Sequence, residues 1–440
     1  MRWLTRYDCA ALAPDKQTPE TGETDRSKRP RLLRSIRTFD SLVVPAHRNY
    51  FGAMFVYFAA MQMTVLVRPW VAFDLSANDL GERSALVLGL TVAANNLPSL
   101  VLSPYAGALA DKMSKRTILQ ACAVIMAVLA GVTAVGLAFS WFAWWHVTII
   151  GVGQGAVMTF ITPTRRAIIG DLVGREHLLN ATALHTMSMN VTRTVMPAAG
   201  GFIIVAAGAE WAYLSIAAMY VAGVSLLFIV PKIVPSEAAR KRGMSGAVRE
   251  GFRYAAKDRT IRSLLLIALM STLFGQPLQH LLPLFADVLD ITVDRVGLLF
   301  TFFGAGSLIG STTAASLGNF KRKGLLLVSF LTLWGAAMMA FAFSDVYVLS
   351  LFLLIPVGMG HSGRNTVNIA TLQTYTDPDM RGRVMALNAM MSGFMPPAVL
   401  LITAIAEFAN AQVALGGVGA IILVYGLWQL LFARTVRNLE

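Results

Sequence analysis

The sequence predicts an all-α membrane protein of twelve transmembrane helices in two six-helix bundles, with both termini in the cytosol. Three observations carry this expectation. Hydrophobic residues make up 56% of the chain and charged ones 14%, with a mean hydropathy of +0.61, too apolar for the surface of a soluble domain. Apolar stretches near the roughly 20 residues that cross a bilayer recur along the chain, six on each side of a hydrophilic interruption. Lys and Arg collect in alternate connections, the positive-inside pattern.

In chain order, residues 1–47 are polar and basic and hold no apolar run of signal-peptide length. They are expected to form a disordered cytosolic tail, whose stretch RSKRPRLLRSIR (26–37) helps fix orientation and suits anionic lipid. The first bundle, 48–231, holds spans near 49–73, 84–107, 117–139, 142–165, 181–207 and 211–231. Residues 232–261 read as a cytosolic linker rich in Arg and Lys, part of it suited to an amphipathic surface helix. The second bundle, 262–435, holds spans near 263–286, 293–317, 324–343, 346–370, 382–405 and 413–433.

With the N-terminus in the cytosol, the inner connections carry Lys112, Lys115 and Arg116, then Arg165, Arg166 and Arg175, the linker, Lys321, Arg322 and Lys323, and finally Arg381 and Arg383. The outer ends carry Arg68, Arg83 and Arg295 among Asp79, Glu82, Glu210, Asp290, Asp294, Asp345 and Glu407. Topology therefore accounts for most of the net charge of +13, and nucleic acid is not needed to explain it. Cys9 and Cys122 fall in a polar tail and an apolar segment, so no disulfide framework is implied.

The two halves echo each other. GVGQGAVMTF (151–160) aligns with PVGMGHSGRN (356–365), so that Gly153 and Gly155 meet Gly358 and Gly360, and GALADKMSK falls on ASLGNFKRK (315–323). Repeated six-helix units enclose a cavity at mid-membrane, the architecture of an alternating-access carrier.

The stretch GALADKMSKR (107–116) resembles the major facilitator superfamily loop motif G-x-L-a-D-r-x-G-R-K. Gly107, Leu109, Asp111, Lys112, Lys115 and Arg116 fit it, and Ser114 replaces a glycine. The resemblance implies an inner-face latch of Gly107, Asp111, Lys115, Arg116 and Asp171. NVTRTVMPAAGG (190–201) is similar to the g-x-x-x-G-P-x-x-G-G motif of drug:proton antiporters. Pro197, Gly200 and Gly201 match this gating motif, and Met196 stands at its second glycine. The stretches 162–193 and 371–387 look like the branch that contains the enterobactin exporter and macrolide-efflux proteins. What the resemblance implies is a secondary transporter of the inner membrane. It would export small amphipathic molecules such as drugs, macrolides or siderophore-like compounds, as a monomer without cofactor or metal, with H+ as coupling ion.

Polar groups at membrane depth are costly and face a cavity or one another. The candidates for a substrate cavity are Gln62, Asn95, Asn96, Gln154, Asn190, Arg193, Gln276, Gln279, His280, Arg364 and Asn365. Each also admits a structural reading as a hydrogen-bonding tie between helices. Arg193 lies near the middle of its span with Asn190 one turn before it, and Arg364 is placed to complement it from the opposite bundle. The acids sit at span ends, which leaves Asp74, His280 and His361 as proton-coupling candidates.

The sequence holds no G-x-x-x-x-G-K-[ST] pattern, so ATP hydrolysis within the chain is not expected. Its histidines are scattered, and neither HExxH nor a paired-Cys motif occurs, which argues against a membrane-embedded enzyme. A lysolipid or lipid translocator on the same fold, or a non-transporting sensor, remain the alternatives.

Overall fold

The computed structural model of the chain describes residues 41–173, 177–230, 252–317 and 322–433. The first half builds α1 (Pro45–Leu80), α2 (Ala85–Lys112), α3 (Lys115–Ala138), α4 (Trp144–Leu172), α5 (Leu178–Ala207) and α6 (Ala209–Leu227). The second half builds α7 (Arg259–Val288), α8 (Val293–Ser316), α9 (Lys323–Ala342), α10 (Tyr347–Tyr375), α11 (Arg381–Phe408) and α12 (Ala411–Phe432). Among the described residues, 11 of these helices are long and apolar enough to cross a membrane. The other, α10, has 29 residues and is more polar, carrying His361, Arg364, Asn365 and Asn368.

Local chemistry sets the helix ends. Gly81 closes α1 at φ 84°, its N–H donating to the Ala77 carbonyl, the left-handed stop that glycine makes without a Cβ clash. Ser84 then opens α2, its hydroxyl accepting from the Val87 N–H. Ser114, standing where the loop motif has glycine, accepts from the Thr117 N–H and caps α3. Its replacement of glycine thus fulfils a helix-starting role.

Two spans are broken. Within α7 a π-turn runs over Ser271–Gly275 and a 3-10 turn over Leu282–Leu284, while α11 has a 3-10 turn over Met391–Phe394. Pro277, Pro283 and Pro396 lie at these breaks, where the missing N–H removes a rung of the helical ladder. Such breaks are tolerated at membrane depth where neighbouring helices satisfy the freed groups.

The helices pack as two groups with matching neighbours. In the first half α2 lies on α4, and α3 on α4 and α6; in the second α8 lies on α10, and α9 on α10 and α12. The groups meet through α5 against α8 and α2 against α11, a pairing that a two-fold exchange of the halves maps onto itself. The α5–α8 seam is a backbone contact. A Cβ on Gly201 would stand 2.5 Å from the Val293 carbonyl oxygen, and one on Gly297 2.6 Å from Ala198 Cα.

Several expectations are corrected. Helices α1, α2, α4 and α10 run on past 73, 107, 165 and 370 to Leu80, Lys112, Leu172 and Tyr375, because an apolar window stops at polar residues that a helix accommodates near headgroups. Arg68, counted among the outer-end cations, is 8% exposed inside α1, about three turns before the helix ends. The tail does not extend disordered to 47. Ser41 is buried and its N–H donates to Asn180 Oδ1 at 3.0 Å, and α1 begins at Pro45. Residues 1–40 of the tail and 231–251 of the linker lie outside the described residues. Of the linker's far end, 252–257 is helical and Arg259 already starts α7.

Candidate functional site

A chamber of about 160 Å3 lies between the halves, near the middle of α1 and α5, lined by Gln62 and Val65 of α1, Arg193 and Pro197 of α5, Gln279 and His280 of α7, and Phe300 of α8. Four of the eleven cavity candidates, Gln62, Arg193, Gln279 and His280, thus converge there. Arg193 Nη2 donates to Gln279 Oε1 at 2.8 Å, which joins the halves across the chamber. The break in α7 ahead of Leu278 turns Gln279 and His280 toward this space. His280 Nδ1 is buried without a hydrogen-bond partner. Pro197 has no N–H to offer the carbonyl of Arg193, four residues earlier, so an acceptor is freed beside the guanidinium.

Asn190 and Arg193 belong to a longer row. Thr182, Thr186, Asn190 and Arg193 follow one another at helical spacing on α5, the two threonines exposed and the other two half-buried. The row runs from the end bearing the basic connections up to the chamber. Thr182 and Thr186 were not singled out from sequence, although stepping back by four from Asn190 reaches both. On α2, Asn96, Ser99 and Ser103 make a comparable row over the same half of the helix.

The remaining cavity candidates are placed elsewhere. Gln154 is buried in the first half and accepts a 2.9 Å bond from Arg68 Nη1. Asn95 donates to the Gly151 carbonyl at 2.8 Å, tying α2 to α4, and Asn96 donates to Val92 of its own helix. Gln276 and Asn365 are exposed. Arg364 is not among the side chains that line the chamber. Its guanidinium lies 5.4 Å from the centre of the Trp334 ring of α9, inside the second half, because α10 packs its glycine-rich face there. His361 sits between the Phe303 and Trp334 rings, with centroids at 5.7 and 5.0 Å.

Of the span-five motif residues, Pro197 and Gly201 lie on the α5–α8 seam and Gly200 does not. Gly200 faces Val67 and Met63 of α1, and Gly201 faces Val293. At the end beyond them Arg83 donates at 2.7 Å to both Asp74 and Asp287, linking α1 to α7. Partial burial pulls the Arg83 guanidinium down, but the hydrogen bonds and charges of Asp74 and Asp287 outweigh it and hold it above its ordinary value. Asp74 therefore serves an exposed clamp, outside the chamber. Beside it, Glu407 of α11 accepts from the Ser84 hydroxyl at 2.8 Å and the Leu86 N–H at 3.2 Å, which joins α11 to the start of α2.

At the opposite end, Gly107 and Asp111 lie on the last turns of α2 and Asp171 near the close of α4, with side chains outside those described. Lys115 is the first residue of α3. Arg116 donates to the carbonyls of Val230 at 2.5 Å and Phe228 at 2.8 Å, so it caps the carbonyl end of α6.

Comparison with known proteins fits this geometry. The model of the transmembrane secretion effector family, a branch of the major facilitator superfamily, matches residues 45–439. The enterobactin exporter EntS of Escherichia coli O1:K1 / APEC is 23% identical over 350 residues, covering 78% of this chain and 80% of its own length. EntS of Shigella boydii serotype 4 (strain Sb227) is 23% identical over 353 residues with the same coverage. Among solved structures, a D-xylose–proton symporter superposes with a TM-score of 0.67 at 14% identity, covering 91% of this chain and 99% of the other. An inward-facing, unoccupied bacterial homologue of the human lysosomal transporter Spinster gives 0.61 at 14%, covering 89% and 94%. The chain belongs to the transmembrane secretion effector family of major facilitator transporters, multi-pass membrane proteins of efflux and not enzymes.

Proposed function

We propose that the protein is a secondary exporter of small amphipathic molecules in the inner membrane, working by alternating access between 48–231 and 262–435. The observation that carries this is the polar chamber on the boundary of the halves, crossed by the Arg193–Gln279 bond. The positive-inside pattern puts the basic connections in the cytosol. The Arg83 end is then outermost, and the arrangement of ties corresponds to a carrier closed outside and entered from the cytosol along the α5 row. Asp111 with Lys115 and Asp171 is the latch that closes the cytosolic side in the opposite state. Of the three proton-coupling candidates, His280 is the one that lines the chamber, and antiport of H+ against substrate runs through it. The nature of the relatives, exporters of enterobactin, supports outward transport of siderophore-like or drug-like compounds.

The test is reconstitution in liposomes with an imposed pH gradient and a panel of dyes, antibiotics, siderophores and lysolipids. Gradient-dependent flux of a soluble amphiphile that collapses with a protonophore is the expected result. Flux that ignores the gradient overturns coupling, and movement confined to lysolipid favours a translocator.

A further inference from the structure

We infer that the chamber is a binding site for an amphipathic anion, with Arg193 as its counter-ion and an apolar wall for the ligand's body. The inference rests on the transporter reading above and names its substrate class.

The chamber lining holds one permanent cation and no carboxylate. Arg193 has a single described side-chain partner, the neutral oxygen of Gln279. Arg83, just beyond the end of α1, is by contrast ion-paired with both Asp74 and Asp287. Two further buried arginines, Arg68 and Arg364, likewise have no carboxylate partner among the described residues. Arg68 bonds Gln154 and Arg364 stacks on Trp334, each with an Nε left unpartnered. A charge held at membrane depth without a counter-charge persists where a ligand supplies one. Such a field repels a cationic drug and attracts a carboxylate, sulfonate or catecholate, which a guanidinium meets with paired N–H donors.

The rest of the lining completes the description. His280 Nδ1 is buried without a partner, Gln62 is 7% exposed, and Pro197 frees the Arg193 carbonyl. The ligand's polar end should therefore carry hydroxyl or N–H donors beside its negative charge. Val65 and Phe300 offer the apolar wall.

The experiment measures equilibrium binding to the full chain in nanodiscs, with empty discs subtracted. The probes are anilinonaphthalene sulfonate, its sulfonate-free analogue phenyl naphthylamine, and cationic ethidium. The sulfonate is expected to bind at least about tenfold more tightly than the other two. Arg193→Gln should weaken the sulfonate by about tenfold and leave the neutral analogue within about twofold, while Arg193→Lys keeps most of the preference. Gln279→Glu places a carboxylate against Arg193, so it should lower sulfonate affinity and raise that of ethidium. This variant decides the matter if Arg193→Gln does not assemble. Equal affinity for sulfonate and neutral analogue, or variants that weaken both alike, would overturn the inference. Arg193-dependent anion binding without gradient-driven flux would instead overturn the transport reading and leave this one standing.

Discussion

The two ends of α2, α5, α8 and α11 contrast. At the Arg83 end these helices meet through small residues and short polar ties: Gly201 on Val293, Gly297 on Ala198, Gly89 on Thr403, and Glu407 on Ser84. At the basic end the described glycines of these helices make no such contact with the other half: a Cβ on Gly382 of α11 would meet nothing within 4 Å, and one on Gly310 of α8 would meet Met359 of α10 in its own half. One end is thus joined by backbone shape and the other is not built for close approach in this state. A seam made by glycine contact is intolerant of partial separation, which favours switching between discrete states over gradual opening.

The largest effect should come from spoiling that shape. In Gly201→Leu the added side chain has no room, since even a Cβ falls 2.5 Å from the Val293 carbonyl. Overpacking of this kind costs about 1–3 kcal/mol, enough to shift a two-state equilibrium roughly 5- to 150-fold. Transport should nearly vanish. A thiol introduced by Val65→Cys, with Cys9 and Cys122 replaced, should become reactive to impermeant maleimide added from the Arg83 side. Unchanged labelling would mean that the α5–α8 contact does not set closure.

The next prediction concerns the other end. Asp111→Asn removes the acid of the loop motif while leaving the cations that orient the loop. Transport is expected to fall by about tenfold, the size of a lost charge-assisted hydrogen bond, with membrane insertion unchanged. Wild-type flux in this variant would sink the latch and leave the Arg83 end as the place where switching is controlled.

Much of this contrast was legible in the sequence. The spans follow from apolar length, and the basic end follows from the Lys and Arg distribution. Arg193 was singled out because a cation near a span centre demands an explanation. Its placement beside Gln279 and His280 followed because the π-turn and Pro277 bend α7 there. Asn95, Gln154 and Arg364 show where such reasoning stops. Polarity marks them as unusual at membrane depth, but whether such a group faces the chamber or a neighbouring helix depends on rotation about the helix axis. Packing of Gly151 and Trp334 sets that rotation, and hydropathy carries no trace of it. The Arg83–Asp287 tie was equally hidden, since its partners are 204 residues apart and each resembles an ordinary loop charge.

Loosening that clamp should have a smaller effect than spoiling the glycine seam. Arg83 and its partners are partly exposed, with 34%, 53% and 51% of their side-chain surfaces accessible for Arg83, Asp74 and Asp287. Pairs of this kind contribute about 0–1 kcal/mol each. Arg83→Gln is expected to raise labelling at the Val65→Cys thiol a few-fold, and adding Asp287→Asn to it should change nothing more, because the shared partner is already gone. A further rise in the double variant would show that Asp287 acts through another group.

The smallest expected effect is a flat response to alkali. In the closed state Arg83 is held above its ordinary value by Asp74 and Asp287. A cation whose affinity for its proton is raised contributes fully below its free value and loses that contribution only as pH rises through the raised one. Because a free guanidinium already titrates above about 12, the Arg83 side of the clamp is intact throughout the working range. Closure at this end, read by Val65→Cys labelling corrected for thiol ionisation, should therefore be constant from about pH 7 to 9. In Arg83→Lys the partner is an ammonium with a free value near 10.4, which two carboxylates also raise, so closure should begin to fail only above that range. Loosening of the wild-type end below pH 9 would assign control of the seam to a different titrating group and separate the clamp from the closure it accompanies.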